Sequence, residues 1–571
     1  MRCKKSDWLV MGVGTLIIIC FCAISISRIY TVWELVDEYG YLANAAYLSG
    51  SDWSCMTNYY YGYGYSLWLI PLFWIFESGI SIIRGAVAIN GLFMVLLFWV
   101  QCILMSKIYR NLNSKIIALI SFVLCFYPYL IVSEWKIICE CLLTLMVWVC
   151  GLVLYQALDT GKRYWYVLLG VTTAYIFFVH TRAFVFSAVL LMAMVLMFLQ
   201  KKINRQNMAV FFVVFVICFV LGTLLKNNII EAMYTNTPGG NLTEMVGNTL
   251  TVSYIIEKII GFFAGLSIID WDSFACKVFY LFVGTVGMFP LGLYAIGKNT
   301  ILSFKKERQF SIDSAIKVLY GVAAIGMVLA LVVNPMGVTE GTAHYFYARY
   351  YEYLIAPVVF AGVAYCIEEK LHIAEVLGLI VIVLFFGWFA TDTARFLDTQ
   401  ELYLDTNRMP ALSYILQHIN WFPKIIERGV IIAICCVLCI FLINRVKKIR
   451  WCMLAILLIV FMLSNLWNVL FMVRMNYNNL TEYQIAEFVH GNYGADEIYF
   501  LNDDTNAVLA YTKIQSLMGN IKIKVMNPSD INQIQQGDLF VTLQFNPYVE
   551  EFAGRQEQVL KLGCYEVYTI H

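Results

Sequence analysis

Uninterrupted apolar runs recur along most of this sequence, and each is close to the ~20 residues that a bilayer-crossing helix needs. Apolar residues make up 61% of the 571 residues and charged residues only 13%, whereas soluble domains carry roughly 25% charged residues. We therefore predict an α-helical polytopic membrane protein. The thirteen predicted spans lie near residues 8–28, 84–106, 114–133, 137–158, 164–181, 183–200, 208–226, 276–297, 314–334, 350–367, 373–391, 428–444 and 451–472.

Basic residues fall on alternate connections between these spans, which predicts an orientation. The N-terminus carries Arg2, Lys4 and Lys5 and is placed inside. The remaining inner connections then hold Lys107, Arg110, Lys115, Lys162, Arg163, Lys201, Lys202, Arg205, Lys298, Lys305, Lys306, Arg308, Arg445, Lys447, Lys448 and Arg450. None of these clusters is large enough to indicate nucleic-acid binding.

This orientation requires that "SLWLIPLFWIF", Ser66 to Phe76, does not cross the membrane. Eleven helical residues reach about 16 Å, roughly half of the hydrocarbon thickness, and Pro71 interrupts them. We interpret this run as a helix at the outer interface. A crossing here would move every later basic connection to the outside.

Three outer regions are then large, namely residues 29–83, residues 227–275 and a tail over 473–571. Residues 1–472 form the predicted membrane domain. In the tail, strand-like "EIYFL", "IKVM", "DLFVTL" and "YEVYTI" alternate with helix-like "TEYQIAEFVHGNY" and "NAVLAYTKIQSL". We predict a small extracytoplasmic α/β domain there, acting as a lid or as an acceptor-recognition module.

Several charged residues from distant segments share the outer membrane level. A charge at mid-bilayer costs roughly 2.5–3.5 kcal/mol on insertion scales, so several at one depth indicate a hydrated cavity. Each also has a plain structural explanation: loop solvation, an i, i+4 ion pair of Glu140 with Lys136, or arginines that reach the headgroups. These residues are Asp37, Glu38, Glu134, Glu140, Arg182 and Arg349.

The order of these features resembles the GT-C superfamily of integral-membrane glycosyltransferases. The similarity is carried by "DEYGY", the "YGYGYSLWLIPL" interfacial helix, "CECLL" at the fourth span, "HTRA" at the next outer turn and "RYYEYLIAP" late in the membrane part. It is greatest to the branch of protein O-mannosyltransferases and aminoarabinose transferases of lipid A. The resemblance covers residues 8 to about 200, within a catalytic module over about 8–226.

The resemblance implies transfer of a sugar from a polyprenyl-phosphate carrier on the outer face, with inversion at the anomeric carbon. Asp37 matches the general base, and Glu38 and Glu140 complete the expected catalytic carboxylates. Arg182 and Arg349 match positions that could hold the carrier phosphate. We further expect substrate contacts from Tyr41, Glu134, His180 and Tyr345.

The sequence lacks the Asp-x-Asp that metal-dependent oligosaccharyltransferases carry before the fourth span, which argues against a metal requirement. The Asp270-Trp271-Asp272 motif lies in the second large outer loop, where helix capping is the simpler interpretation. No cofactor is expected besides the lipid-linked sugar donor. Asn241 and Asn479 match glycosylation acceptors, which matters only in a host that modifies them.

Expected partners are that donor, the bilayer, and an acceptor that is an envelope glycan, a glycolipid or a protein. Basic inner loops and the distribution of the family favour a bacterial plasma membrane. A flippase or transporter of lipid-linked sugars is the main alternative, and a non-catalytic envelope scaffold is the second. Transporters typically show charged or broken helices at mid-membrane and repeat symmetry, and the sequence shows no such repeat.

Overall fold

Helices dominate the computed structural model of the chain. It describes all residues except 1–4, 34–35, 54–60, 234–269, 308–309, 334–340, 396–407, 417–420, 479, 494–496, 503–507, 528–533 and 553–554. Both glycosylation acceptors and most of the second large outer loop lie outside the described residues.

The helices of the described chain follow in order. They are α1 (Lys5–Ser27), α2 (Val36–Ser49), α3 (Tyr63–Ile75), α4 (Gly79–Ile108), α5 (Ser114–Cys125), α6 (Pro128–Glu134), α7 (Glu140–Thr160), α8 (Arg163–Val179), α9 (Phe184–Leu199), α10 (Arg205–Met233), α11 (Trp271–Gly284), α12 (Met288–Glu307), α13 (Ile312–Val333), α14 (Gly341–Phe346), α15 (Ile355–Glu368), α16 (Ile373–Ala394), α17 (Ser413–Leu416), α18 (Phe422–Asn444), α19 (Met453–Asn478), α20 (Leu480–Asn492) and α21 (Val508–Met518). Short 3₁₀ turns occupy Thr181–Ala183, Ala348–Tyr350, Glu352–Leu354, Pro410–Leu412, Lys447–Cys452 and Pro547–Phe552.

Nine helices of the described chain have the length and the apolar composition to cross a membrane: α1, α4, α7, α9, α10, α13, α16, α18 and α19. Many of their side chains face outward as exposed apolar groups, as expected for helices whose solvent is lipid. Burial is lowest in α10, where only 11% of the apolar window is covered. The predicted polytopic membrane fold is confirmed.

Three further spans are broken into bent pairs, which brings the number of candidate spans to as many as twelve. The axes of α5 and α6 differ by 58°, and α6 begins with Pro128, which is tolerated at a helix start but cannot continue α5. The axes of α11 and α12 differ by 97° across Val286 and Gly287, both with positive φ. The third bend, of 51°, falls at Tyr351.

By helix length and apolar composition, the described residues do not reach the predicted count of thirteen spans. The predicted span near residues 164–181 falls on α8, whose 17 residues make it one of two shorter apolar helices in the described chain. The other is α3, which is 13 residues long and contains Pro71, in agreement with a run too short to cross. The sidedness of the helices stays a prediction.

The C-terminal part contains a mixed five-stranded sheet. Its strands are β1 (Glu497–Leu501), β2 (Lys522–Met526), β3 (Leu539–Leu543), β4 (Gln556–Leu562) and β5 (Tyr565–Ile570), in the spatial order β2-β1-β3-β5-β4. β1 is parallel to β2 and β3, while β5 is antiparallel to β3 and β4. The expected C-terminal α/β element is confirmed, and β4 is an additional edge strand that the sequence pattern did not indicate.

Candidate active site

The acidic pair lies in the first turn of α2, where carboxylates are favoured by the positive end of the helix dipole. The two neighbours differ sharply in environment. Glu38 is buried, and its carboxylate accepts hydrogen bonds from the backbone N–H of Trp33 (2.6 Å) and of Ile137 (2.9 Å). Asp37 keeps 20% of its side chain exposed. Glu38 therefore fixes the first loop to the α6–α7 connection, while Asp37 faces the accessible side.

Glu140 begins α7 and is completely buried. Its Oε1 accepts hydrogen bonds from two arginines, Arg182 Nη2 at 2.5 Å and Arg349 Nε at 2.5 Å. Arg182 lies in the 3₁₀ turn Thr181–Ala183, and the Nδ1 of His180 accepts from the Arg182 backbone N–H at 3.2 Å. One carboxylate oxygen thus organises two guanidinium groups from distant parts of the chain.

Arg349 joins this pair to the first loop. It lies in the 3₁₀ turn Ala348–Tyr350, beside the 51° bend at Tyr351, and its Nη2 donates to Asp37 Oδ2. In the sequence, Arg349 is 312 positions from Asp37 and 209 positions from Glu140. Four of the six charged residues predicted to share one membrane level are therefore in direct contact in the fold. We call Asp37, Glu140, Arg182 and Arg349 the charge network.

Exposure rises along the charge network from one end to the other. The side chains of Glu140 and Arg182 are 0% exposed, that of Arg349 is 11% and that of Asp37 is 20% exposed. Two carboxylates and two guanidinium groups balance in charge, which is how buried charges are normally tolerated. Asp37 and Arg349 therefore form the more accessible end of the charge network.

Aromatic side chains enclose the charge network. Arg182 lies 5.5 Å from the ring centre of Tyr350 and 5.7 Å from that of Tyr353, within the range of cation–π attraction. The Tyr353 hydroxyl also donates to the Arg182 carbonyl at 3.1 Å. Tyr41, one turn after Asp37, is buried and packs against the rings of Tyr61 and Tyr65.

Two further residues predicted for the same site make their described contacts with other groups. The Glu134 side chain is buried next to Ser25 and Cys22 of α1, because the turn between α6 and α7 rotates it away from Glu140. Tyr345 belongs to a second polar group: its ring meets His344 and its carbonyl accepts from Lys277 at 3.3 Å.

The second polar group includes the Asp-x-Asp motif. Asp270 caps α11 by accepting from the N–H groups of Asp272 and Ser273, which is the capping role that the sequence indicated. Its second oxygen lies 2.7 Å from His344 Nε2. Two backbone N–H donors and His344 lower the pKa of Asp270, although its partial burial acts in the opposite direction.

Sequence reasoning did not single out Glu352, which supports the charge network from behind. Its Oε1 accepts from the hydroxyls of Tyr127 and Tyr280, both at 2.6 Å, and so links the α5–α6 break to α11 beside the bend that carries Arg349. An acid directly before the apolar run of α15 was the available signal. Lys136, which was predicted only as an ion-pair partner of Glu140, is buried over the Trp33 ring at 5.2 Å.

Within the described ranges, no group of three or more His, Cys, Asp or Glu side chains could hold a metal ion. At the accessible end of the charge network, the carboxylates of Asp37 and Glu140 both contact the guanidinium of Arg349. A cation is already present between them, so this arrangement does not fit a divalent metal ion. That the protein needs no metal ion stays a prediction.

No protein-family model and no curated protein sequence matches the chain. Among solved structures, ArnT from Cupriavidus metallidurans bound to undecaprenyl phosphate is similar, with a TM-score of 0.52 and 12% identity over 99% of this chain and 98% of that one. The same protein in the apo state gives a TM-score of 0.53 at 12% identity, with the same coverage. At this identity the similarity concerns the fold. The GT-C fold expected from the sequence is confirmed over nearly the whole chain, including its C-terminal part.

Proposed function

We propose that this chain is a membrane glycosyltransferase that moves a sugar from a polyprenyl-phosphate carrier to an acceptor on the extracytoplasmic face. The observation that carries the proposal is the charge network, in which Asp37 and Arg349 meet at the accessible end while Glu140 and Arg182 are buried behind them. The similarity in fold to a protein solved with undecaprenyl phosphate supports the lipid carrier.

In the proposed reaction Asp37 removes a proton from the acceptor hydroxyl or amine. The acceptor atom then attacks the anomeric carbon, the bond from that carbon to the phosphate oxygen breaks, and the electron pair leaves with the carrier phosphate. A single displacement inverts the anomeric configuration. General-base catalysis of this kind contributes roughly 10²–10⁴-fold.

Arg349 is suited to stabilise the charge that develops on the departing phosphate. A guanidinium has five N–H donors in a fixed fork, and the contacts to Asp37 and Glu140 use two of its three nitrogens. Arg182 is completely buried, which favours a role in holding Glu140 and Arg349 over direct contact with the phosphate. Glu38 and His180 hold backbone N–H groups of the segments that carry these side chains.

The test measures polyprenyl-phosphate-linked sugars in lipid extracts from cells that express wild-type protein or Asp37→Asn at equal levels. We expect one lipid-linked sugar to accumulate in the variant, and its mass identifies the sugar. Asp392→Asn is the matched control, because Asp392 is an exposed carboxylate at the end of α16 that pairs only with Arg395 in the described chain. Equal lipid pools for wild type and Asp37→Asn, in cells where the protein is active, would contradict the proposal.

Accumulation alone does not separate a transferase from a flippase, since blocking either leaves the donor unused. Detergent micelles have no two faces, so only a transferase consumes the donor there. Purified wild-type protein in micelles, given the accumulated lipid and an envelope extract, should therefore release the free carrier phosphate, whereas Asp37→Asn should not. Donor that remains intact with wild-type protein in micelles but is consumed in intact cells would favour the flippase.

A further inference from the structure

The first large outer loop, residues 29–83, is fastened to the C-terminal part of the chain at its beginning, middle and end. We infer that Asn476, Gly519, Asn520 and Lys522, here called the C-terminal clamp, fix the position of α2 and thereby of Asp37. The C-terminal part is then a rigid component of the site and not a lid that opens. The positioning of α2 by the clamp does not depend on the proposed function; only its expected effect on activity rests on that function.

The first attachment lies at the start of the loop. The side-chain oxygen of Asn476, in the last turn of α19, accepts from the backbone N–H groups of Tyr30 (3.1 Å) and Thr31 (3.2 Å). Asn476 is only 2% exposed, so these N–H groups have little access to water as an alternative partner. The chain therefore leaves α1 in a fixed direction, six residues before Asp37.

The second attachment follows α2. The indole N–H of Trp53 donates to the Gly519 carbonyl at 3.0 Å, and the Trp53 ring is buried against Phe73 of α3. Beside it, Lys522 at the start of β2 forms an ion pair of 2.7 Å with Asp52. That pair is solvent-exposed and contributes little by itself, whereas the buried indole hydrogen bond holds the end of the α2 segment.

The third attachment lies at the end of the loop, where backbone meets backbone. The Asn520 N–H donates to the Glu77 carbonyl at 3.2 Å. A Cβ at Gly519, whose φ is +62°, would overlap with that same carbonyl, and a Cβ at Gly79 would overlap with the backbone of Ser516 and Leu517. Glycine at both positions lets α21 approach the start of α4 more closely than side chains would allow.

These attachments bracket α2, with one before it and two after it. A lid needs few contacts and a hinge, whereas this interface combines buried hydrogen bonds with direct backbone contact at glycine. Helix α21 of the C-terminal part also contacts α2 itself. Displacement of the C-terminal part would therefore carry the Asp37 helix with it.

The test is hydrogen–deuterium exchange of the full-length protein in lipid nanodiscs. In Gly519→Ala we expect the amides of α2 to exchange about tenfold faster. The added Cβ displaces Gly519, which breaks the buried hydrogen bond from Trp53 that holds the loop. Gly161→Ala is the matched control: its φ is +64° and no atom lies within 4 Å of its added Cβ. Gly537→Ala, with φ of +89° and equally open surroundings, is a second control inside the C-terminal part.

Trp53→Phe keeps an aromatic ring in place and removes only the hydrogen bond to Gly519, so it decides the question if Gly519→Ala does not fold. The inference is overturned if α2 keeps its wild-type exchange in these variants, or if the two control variants loosen α2 equally. It is also overturned if α2 loosens while the lipid-linked donor stays at its wild-type level in cells where Asp37→Asn raises it. If Asp37→Asn itself has no effect, the proposed function fails, and the exchange rates still decide whether the clamp exists.

Discussion

Asp37 and Glu38 are adjacent acids in the same helical turn, and we predict different roles for them that the same acid-to-amide change at each position can separate. In Glu38→Gln the side chain keeps its size but loses its charge and one of its two acceptor oxygens. The N–H groups of Trp33 and Ile137 now compete for a single neutral oxygen, and the new amide N–H₂ faces the donor that loses. Asp37→Asn makes the same chemical change at a partly exposed position.

The expected loss follows from the two hydrogen bonds to Glu38. A hydrogen bond to a charged group contributes roughly 1.5–3 kcal/mol and a neutral one roughly 0.5–1.5 kcal/mol, while a buried donor without a partner costs about 1–3 kcal/mol. One bond weakened by about 1 kcal/mol and one lost at about 2 kcal/mol lower the free energy of unfolding by about 3 kcal/mol. Asp37→Asn should cost less than about 1 kcal/mol, because Arg349 keeps Glu140 as its partner.

The free energy of unfolding is measured by unfolding in mixed detergent micelles, followed by the fluorescence of the 14 tryptophans. Activity is measured by consumption of the lipid-linked donor. Glu38→Gln should be less stable, with residual turnover in the molecules that remain folded. Asp37→Asn should be stable and inactive. If Glu38→Gln unfolds like wild type and is as inactive as Asp37→Asn, Glu38 takes part in the chemistry and its proposed holding role is wrong.

Two further predictions concern His180 and the arginines. Burial, and then Arg182, lower the pKa of His180 well below its usual value. Below about pH 6.5 the unfolded chain therefore binds a proton that the folded chain does not. The free energy of unfolding should fall there by up to about 1.4 kcal/mol per pH unit as the pH is lowered. His180→Asn keeps a capping acceptor for the Arg182 N–H, and its free energy of unfolding should differ less between pH 7.5 and pH 5.5 than that of the wild type. An equal difference in both proteins would show that His180 is not the source of the acid sensitivity. Arg182→Lys should lower the free energy of unfolding by about 3 kcal/mol, because a buried ion pair is disrupted. Arg349→Lys should instead preserve the free energy of unfolding within about 1 kcal/mol and reduce donor consumption about a hundredfold, since one ammonium cannot bridge both carboxylates. If the two substitutions change unfolding and donor consumption equally, the structural role of Arg182 and the phosphate-binding role of Arg349 are wrong.

The membrane-crossing segments could be predicted from sequence because bilayer thickness sets the length of an apolar run, whatever its neighbours are. The breaks within three of them could not. Pro128 marks one break, but the break before Met288 depends on positive φ at Val286 and Gly287, and the break at Tyr351 has no local signal of this kind. Breaks arise from packing between segments, which a single sequence does not show.

The same limit applies to the site. Depth along a helix follows from position in the sequence, so Asp37, Glu140, Arg182 and Arg349 could be predicted to share one level. Direction around a helix depends on rotation and packing. Glu134 therefore faces α1 although it lies only six residues before Glu140, and Glu352 supports the site from behind. The edge strand β4 was missed because its polar and apolar residues are mixed and its burial is weak.

The contact between Trp53 and Gly519 also bears on when the site can form during synthesis. The two residues are 466 positions apart, and at roughly 5–20 residues per second the ribosome needs about 25–90 seconds to add the second after the first. Through that interval α1, α2 and the early spans are already made, while the partners that hold Asp37 in place do not yet exist. A nascent chain can therefore insert and fold most of its helices without a completed site, and the site closes only when the last hundred residues have emerged.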